Sequence, residues 1–296
     1  MQALTGIDIR GLKIFSRGKV RDIYDLGDKL LIVASDRISA FDYVLPTGIP
    51  DKGKVLTGIS SFWFKKLEPV SRHHMITHDV EEFPSGLNDH VEILRDRSML
   101  TWKAKRIDIE CIVRGYLSGS AWKEYSGTGQ VAGQVLAPDL EKDARLDSPL
   151  FTPTTKSEDG HDRNITVRDM CSLVGSRQTE YIMAKSLSLF HEASGVAEGR
   201  GITLVDTKFE FGYFEDGIIL IDEVLTPDSS RFWVKDEKSG QQVNLDKQFI
   251  RDFLERTAWD KNSPPPELPP EIVTEVRRRY LALFERLTGD RPAWER

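Results

Sequence analysis

A chain of 296 residues is long enough to bury a large core, as one big domain or two modest ones. Hydrophobic residues make up 39% and charged residues 30%, which excludes a disordered chain, and a net charge of −6 argues against a general nucleic-acid binder. Cys111 and Cys171 have no partners at metal spacing, and no run is long and apolar enough for a signal core or a membrane span, so a cytoplasmic protein without zinc is expected.

The first third carries strand signals. Residues 19–26 and 30–34 flank Gly27-Asp28, which reads as a hairpin turn. Further strands are predicted at 91–95 and 103–114, with a helix over 57–67. A short helix is expected at 120–125, and residues 127–157 read as a long Gly/Pro/Asp-rich connection. Apolar residues at helical spacing (Leu173, Ile182, Leu187, Leu189, Phe190) predict one or two helices over 165–195. Strands return at 203–211 and 218–224. Helices near 247–256 and 271–287 close the chain, separated by the proline run 264–266. The pattern is α+β, with a cleft expected between two parts.

The segment from Val205 to Phe211 is the most informative. On a strand, Asp206, Lys208 and Glu210 share one face, and Val205, Thr207, Phe209 and Phe211 share the other. A three-residue loop 215–217 with Gly217 left-handed would set Glu210 opposite Asp222. A two-residue Asp216-Gly217 turn would set it opposite Glu223 instead. Paired carboxylates repel unless a cation lies between them, and Mg²⁺ with nucleotide phosphates supplies one. The bland alternative is a solvated hairpin with a charged outer face.

Gly18, flanked by Arg17, Lys19, Val20 and Arg21, would let backbone amides approach phosphates, although a Gly-Lys hairpin is more often only a turn. Arg114 through Ser120, with two glycines and two hydroxyls before a helix, suits an anion cradle or a plain helix cap. Asp222-Glu223 followed by Ser229, Ser230 and Arg231 places acids, hydroxyls and a cation at a strand end. Three decoys are set aside. Residues 48–54 lack the Ser/Thr a P-loop needs, because Val55 stands there. Ser120–Lys123 has no accompanying partner motifs. His73-His74 lacks a metal-protease frame. His161 sits in a polar cluster that could face a site, though a lone histidine is more often structural.

Six stretches in one order carry a family resemblance: SRGKVRDIYDL, ASDRISAFDYVLPTGIPDKGKVLT, ECIVRGYLSGSAWKEY, FTPTTKSEDGHDRNIT, GITLVDTKFEFG and LIDEVLTPDSSRFW. Together they closely resemble SAICAR synthetase (phosphoribosylaminoimidazole-succinocarboxamide synthase), and DKQFIRDFL and LTGDRPAW resemble its longer form. The resemblance implies a two-lobed α+β fold, with an antiparallel-sheet N-terminal lobe (1–114) and a larger α/β C-terminal lobe (115–296). It further implies an ATP-grasp or kinase-like relation, with ATP between the lobes. The implied reaction joins L-aspartate to carboxyaminoimidazole ribonucleotide (CAIR), using ATP and Mg²⁺. Carried over, Gly18, Lys19, Val20 and Arg21 would cover the ATP phosphates, although some members carry Lys at the place of Arg21. Glu210 and Asp222 would hold Mg²⁺, and Lys208, like Lys19, would act on the phosphates. The backbone near Arg106 would meet adenine. Arg114, Ser120, Ser230 and Arg231 would hold the ribonucleotide phosphate, and Glu110 would contact the imidazole. Asp36, Arg37 and Ser39 are the candidates for binding aspartate.

Overall fold

A computed structural model of the chain describes residues 2–156, 163–236 and 239–295. His161 lies outside them. β1 (Lys13–Arg17) and β2 (Arg21–Asp25) form the first hairpin, and β2 turns into β3 (Lys29–Ala34) through Gly27, whose φ of +88° only glycine takes without cost. A minor hairpin, β4 (Ser39–Ala40) and β5 (Tyr43–Val44), precedes the helix α1 (Lys52–Leu67). Next come β6 (Met75–Thr77), the single-turn helix α2 (Val91–Leu94) and β7 (Ser98–Trp102). These strands make a five-stranded sheet in the order β1-β2-β3-β7-β6. Residues 91–94 are thus helical where a strand over 91–95 was expected. Leu87, Val91 and Leu94 fall on one helical face and pack into the core beneath the sheet.

The chain leaves that sheet at Trp102 and enters a second one at β8 (Lys105–Tyr116). The division expected after residue 114 therefore falls inside β8, which pairs along its length with strands of the second sheet. Then follow α3 (Gly119–Thr128), the small hairpin β9 (Gln130–Val131) and β10 (Gln134–Val135), β11 (Arg145–Thr155) and β12 (Arg163–Asn164). The stretch read as a loop over 127–157 thus holds an eleven-residue sheet strand. Pro149 and Pro153 disguise it. They are tolerated because, among the described residues, β11 is flanked on its outer side only by the two-residue β12.

Two helices, α4 (Val167–Val174) and α5 (Ser176–Glu198), cover the sheet where one or two were expected, with Met170 of α4 buried and Leu173 facing outward. β13 (Thr203–Phe214), β14 (Gly217–Ile221), β15 (Ser230–Lys235), β16 (Gln242–Asn244), α6 (Gln248–Glu255) and α7 (Pro270–Thr288) complete the chain. The second sheet runs β12-β11-β8-β13-β15-β16, with β14 also pairing with β13. Every pairing between named strands is antiparallel.

The main core joins α1, α5 and α7 to the inner face of the seven-stranded sheet, through residues such as Trp63, Leu189, Phe209 and Tyr280. Burying that face leaves the opposite one to polar side chains, and this is where the site lies. Among the described residues no helix is long and apolar enough to cross a membrane.

Candidate active site

The alternation expected along β13 holds. Phe209 and Phe211 are buried in the main core and Val205 is buried too, while Asp206, Lys208 and Glu210 turn to the other face. There β13 meets β8 in a register that sets Asp206 beside Arg114 and Glu210 beside Glu110. Glu210 therefore has a like-charged cross-strand neighbour, but it is Glu110 of β8 and not the Asp222 or Glu223 expected from the sequence. Lys208 Nζ lies between the two, donating to Glu110 Oε1 at 2.8 Å and Glu210 Oε1 at 2.7 Å. Lys156, at the end of β11, donates to Glu210 Oε2 at 2.5 Å, and Thr154 donates to Glu110 Oε2 at 3.3 Å.

Burial alone would raise the pKa of Glu210, but Lys208 and Lys156 hold it well below the usual carboxylate range. Burial likewise opposes the charge on Lys208, and Glu210, Glu110 and Asp222 together keep it protonated well above its ordinary value.

Neither loop foreseen for the β13–β14 hairpin is adopted. Phe214 pairs with Gly217 across a two-residue turn, Glu215-Asp216, so Ile221 stands opposite Glu210. Glu215 takes the positive φ (52°) that had been given to Gly217, and this moves the register by one. Asp222 is the first residue beyond the ladder, itself left-handed at φ 68°. Its carboxylate is reached from the other sheet by Arg21, at 2.8 Å from Nη1 and 3.0 Å from Nη2, and Arg21 also lies 3.3 Å from Glu223. Burial pushes the Asp222 carboxyl up to about 6, with Arg21 opposing and the charge of Glu210 adding to the rise. Glu210 and Asp222 thus interact as two anions without being directly paired.

At the other end of the face, Arg114 donates from Nε to Thr152 at 2.9 Å and from Nη2 to Ser120 at 3.2 Å. Arg231 forms an ion pair with Asp206, which Arg114 approaches at 3.5 Å. Asp206 holds the proton of Arg231 firmly, whereas burial weakens that of Arg114. The two arginines open onto a cavity of about 190 Å³ that Ser120, Lys208, Ser230 and Lys247 also line. Lys247 is lowered to about 8, chiefly by burial, with Asp228 opposing and Lys52 adding to the effect. Asp228 ties this corner together, accepting from Lys52 at 2.8 Å and Tyr280 at 2.8 Å and lying 3.3 Å from Lys247.

The hairpin between β1 and β2 is closed by Gly18 N donating to Arg21 O at 2.8 Å. Lys19 is half exposed at its tip, 2.5 Å from Asp42, and Val20 is buried beneath. Arg37 braces this turn from below, donating to the carbonyls of Gly18, Lys19 and Thr5 and to Asp22. Asp36 is buried, with its carboxylate taken by the amides of Leu4 and Gly53 and by Arg97. Ser39 lies 3.5 Å from Lys247, and the exposed side chain of Arg106 pairs with Asp108.

Sequence reading assigned no role to Lys156, Asp206, Lys247 or Arg251, all of which the fold brings to this face. Lys156 and Lys247 stand inside stretches that carry the family resemblance, the only signal that could have found them. Among the described residues no group of three or more metal-ligating side chains exists. Two hard carboxylates, Glu210 and Asp222, on a face that also carries a cavity lined by Arg114, Lys208 and Arg231 nevertheless fit Mg²⁺, which takes one or two carboxylates and completes its shell with water and phosphate.

Cations and carboxylates gathered on one face suit an enzyme that moves anionic groups by neutralising and orienting them. The family model described as SAICAR synthetase matches residues 14–266, and the chain belongs to that family of purine-biosynthesis ligases. It is 50% identical over 285 residues to the phosphoribosylaminoimidazole-succinocarboxamide synthase of Pelobacter propionicus, covering 95% of this chain and 96% of that one. It is 49% identical over 284 residues to the enzyme of the same name from Thermodesulfovibrio yellowstonii, covering 95% and 97%. Among solved structures, the SAICAR synthase of Saccharomyces cerevisiae complexed with SAICAR superposes with a TM-score of 0.87 at 40% identity, covering 98% of this chain and 99% of that one.

Proposed function

We propose that the polar face of β8, β13 and β15 is where this chain carries out its reaction, the ATP-dependent joining of L-aspartate to CAIR that yields SAICAR, ADP and phosphate. One observation carries the site assignment. Lys208 is held between Glu110 and Glu210 on the same sheet face as Arg114 and Arg231, so one strand pair offers both a nucleotide end and a ribonucleotide end.

The two sheets act as two lobes with ATP between them, in an arrangement of ATP-grasp or kinase type. The sheet boundaries support dividing the chain near 103–104. Gly18, Lys19, Val20 and Arg21 cover the phosphates from the first sheet, and the backbone near Arg106 meets adenine. Glu210 and Asp222 hold Mg²⁺, which when bound supplies positive charge against the phosphate oxygens. Arg114, Ser120, Ser230 and Arg231 take the phosphate of CAIR, and Glu110 faces its imidazole. For L-aspartate, Ser39 stands best placed, beside Lys247 at the cavity. Asp36 and Arg37, whose groups are engaged within the protein, act as braces for the hairpin.

A carboxylate resists attack by an amine because its oxygen leaves poorly. In the proposed sequence an oxygen of the CAIR carboxylate attacks the γ-phosphorus, and the bond to the ADP oxygen breaks. The amine of aspartate then attacks the acyl carbon, phosphate leaves, and the nitrogen loses its proton. Lys208 and Lys19 neutralise the transferring phosphoryl group, and the arginines fix the acceptor in line. The substrates are small and soluble, which suits a cytoplasmic enzyme without nucleic-acid or membrane partners.

A coupled ADP-release assay tests the reading. Turnover is expected only with CAIR and L-aspartate both present, and a stable phosphorylated product formed without aspartate would mean a kinase instead. Asp222→Asn is expected to abolish turnover while leaving circular dichroism unchanged. Near-normal activity would remove Asp222 from the site.

A further inference from the structure

The segment just after α1 joins the two sheets. Leu220 N of β14 donates to Arg72 O at 2.9 Å, His74 N donates back to Leu220 O at 3.0 Å, and Trp102 N of β7 donates to His74 O at 2.8 Å. His74 is therefore pinned through its backbone to both sheets, and its ring is buried against Phe64. From there Nε2 lies 3.1 Å from the backbone oxygen of Asp222. A carbonyl only accepts, so Nε2 carries the proton and donates.

That oxygen belongs to a residue beyond the end of β14, where the ladder with β13 no longer provides partners. Asp222 is also left-handed, a conformation that costs a non-glycine residue about as much as one hydrogen bond returns. The bond from His74 fixes the peptide plane from which the Asp222 side chain projects. Arg21 engages the carboxylate itself.

We infer that His74 is a positioning residue for metal binding, holding the Asp222 backbone so that its carboxylate is aimed at the shared ion. This rests on the reading of Asp222 as a ligand, and the test separates the two. Mn²⁺ binding to the full-length protein is titrated by electron paramagnetic resonance in the presence of ADP, and ADP binding is measured separately in EDTA.

His74→Phe is expected to weaken Mn²⁺ binding about tenfold, as loss of outer-sphere support to a ligand commonly does, with metal-free ADP affinity unchanged. His74→Gln, whose amide can reach the Nε2 position, is expected to restore binding to within about threefold, and His74→Asn, whose amide falls short, to behave like His74→Phe. The pair of amide variants keeps the test decisive if His74→Phe does not fold. Equal Mn²⁺ affinity in His74→Asn, His74→Gln and the unaltered protein overturns the inference, provided Asp222→Asn loses the ion. If Asp222→Asn binds Mn²⁺ normally, the ligand assignment itself is wrong.

Discussion

Gly119 sits at φ +56°, and a Cβ built there would enter the guanidinium of Arg231. The glycine thus does two things at once: it takes a left-handed turn at the start of α3 and leaves room for Arg231, the arginine proposed to hold the ribonucleotide phosphate. Gly119→Ala is expected to push Arg231 aside and remove a charge-assisted hydrogen bond worth about 1.5–3 kcal/mol, raising the KM for CAIR tenfold or more at a nearly constant KM for ATP. Equal loss for both substrates would place Arg231 elsewhere in the reaction. Lys247 gives a second prediction. Its charge is lost as pH rises through about 8, so the cavity loses a cation there and kcat/KM for the anionic substrate should fall above that pH. Lys247→Arg stays charged to beyond about pH 12, so its profile should lack this limb. An unchanged limb would assign the titration to another group. At this scale the sequence was legible where one strand's period decides the outcome, as for Asp206, Lys208 and Glu210. Lys156 and Lys247 were not, because their neighbours on the face lie tens of residues away in the chain and no local pattern marks them.

Elements were legible in kind more often than in register. The β2–β3 hairpin was evident because Gly27 occupies the turn, and α5 because its buried residues recur at helical spacing. β11 was hidden by Pro149 and Pro153, and α2 was mistaken for a strand because four residues are too few to show a period. The β13–β14 hairpin shows the subtler failure. A glycine at 217 attracts the left-handed position in any local reading, yet Glu215 takes it, and Glu210 faces Ile221. Arg72 pairs with Glu215 at 3.0 Å, but both side chains are more than half exposed, so the pair contributes little. Glu215→Gly should therefore relieve a strained φ and leave stability unchanged or raise it by up to about 1 kcal/mol in urea unfolding. A clear loss of stability would show that the Arg72 pair, and not the backbone, sets this turn.

Across the whole molecule, a net charge of −6 coexists with a concentration of cations on one face, because Arg21, Arg114, Lys156, Lys208 and Arg231 each stand against carboxylates there. Until a substrate arrives, each of these cations has an internal anion for a partner, so none is left as bare buried charge. The same economy of contacts bears on how the chain unfolds. The core under the five-stranded sheet, with Tyr24, Leu31 and Leu100, is a separate cluster from the main one. The main core, however, holds Ile38, Met75 and Met99 from the first hundred residues together with Phe209, Leu189 and Tyr280. The Arg72–His74 strap and the Arg21–Asp222 pair add polar ties across the same boundary. Neither sheet can then open without exposing core shared with the other, and a single calorimetric transition is expected. Leu31→Ala, at a fully buried site of the smaller cluster, should remove about 2–5 kcal/mol and lower the temperature of that whole transition. If an early transition separates instead while the rest melts where it did before, the first sheet unfolds on its own and the shared core does not couple the two.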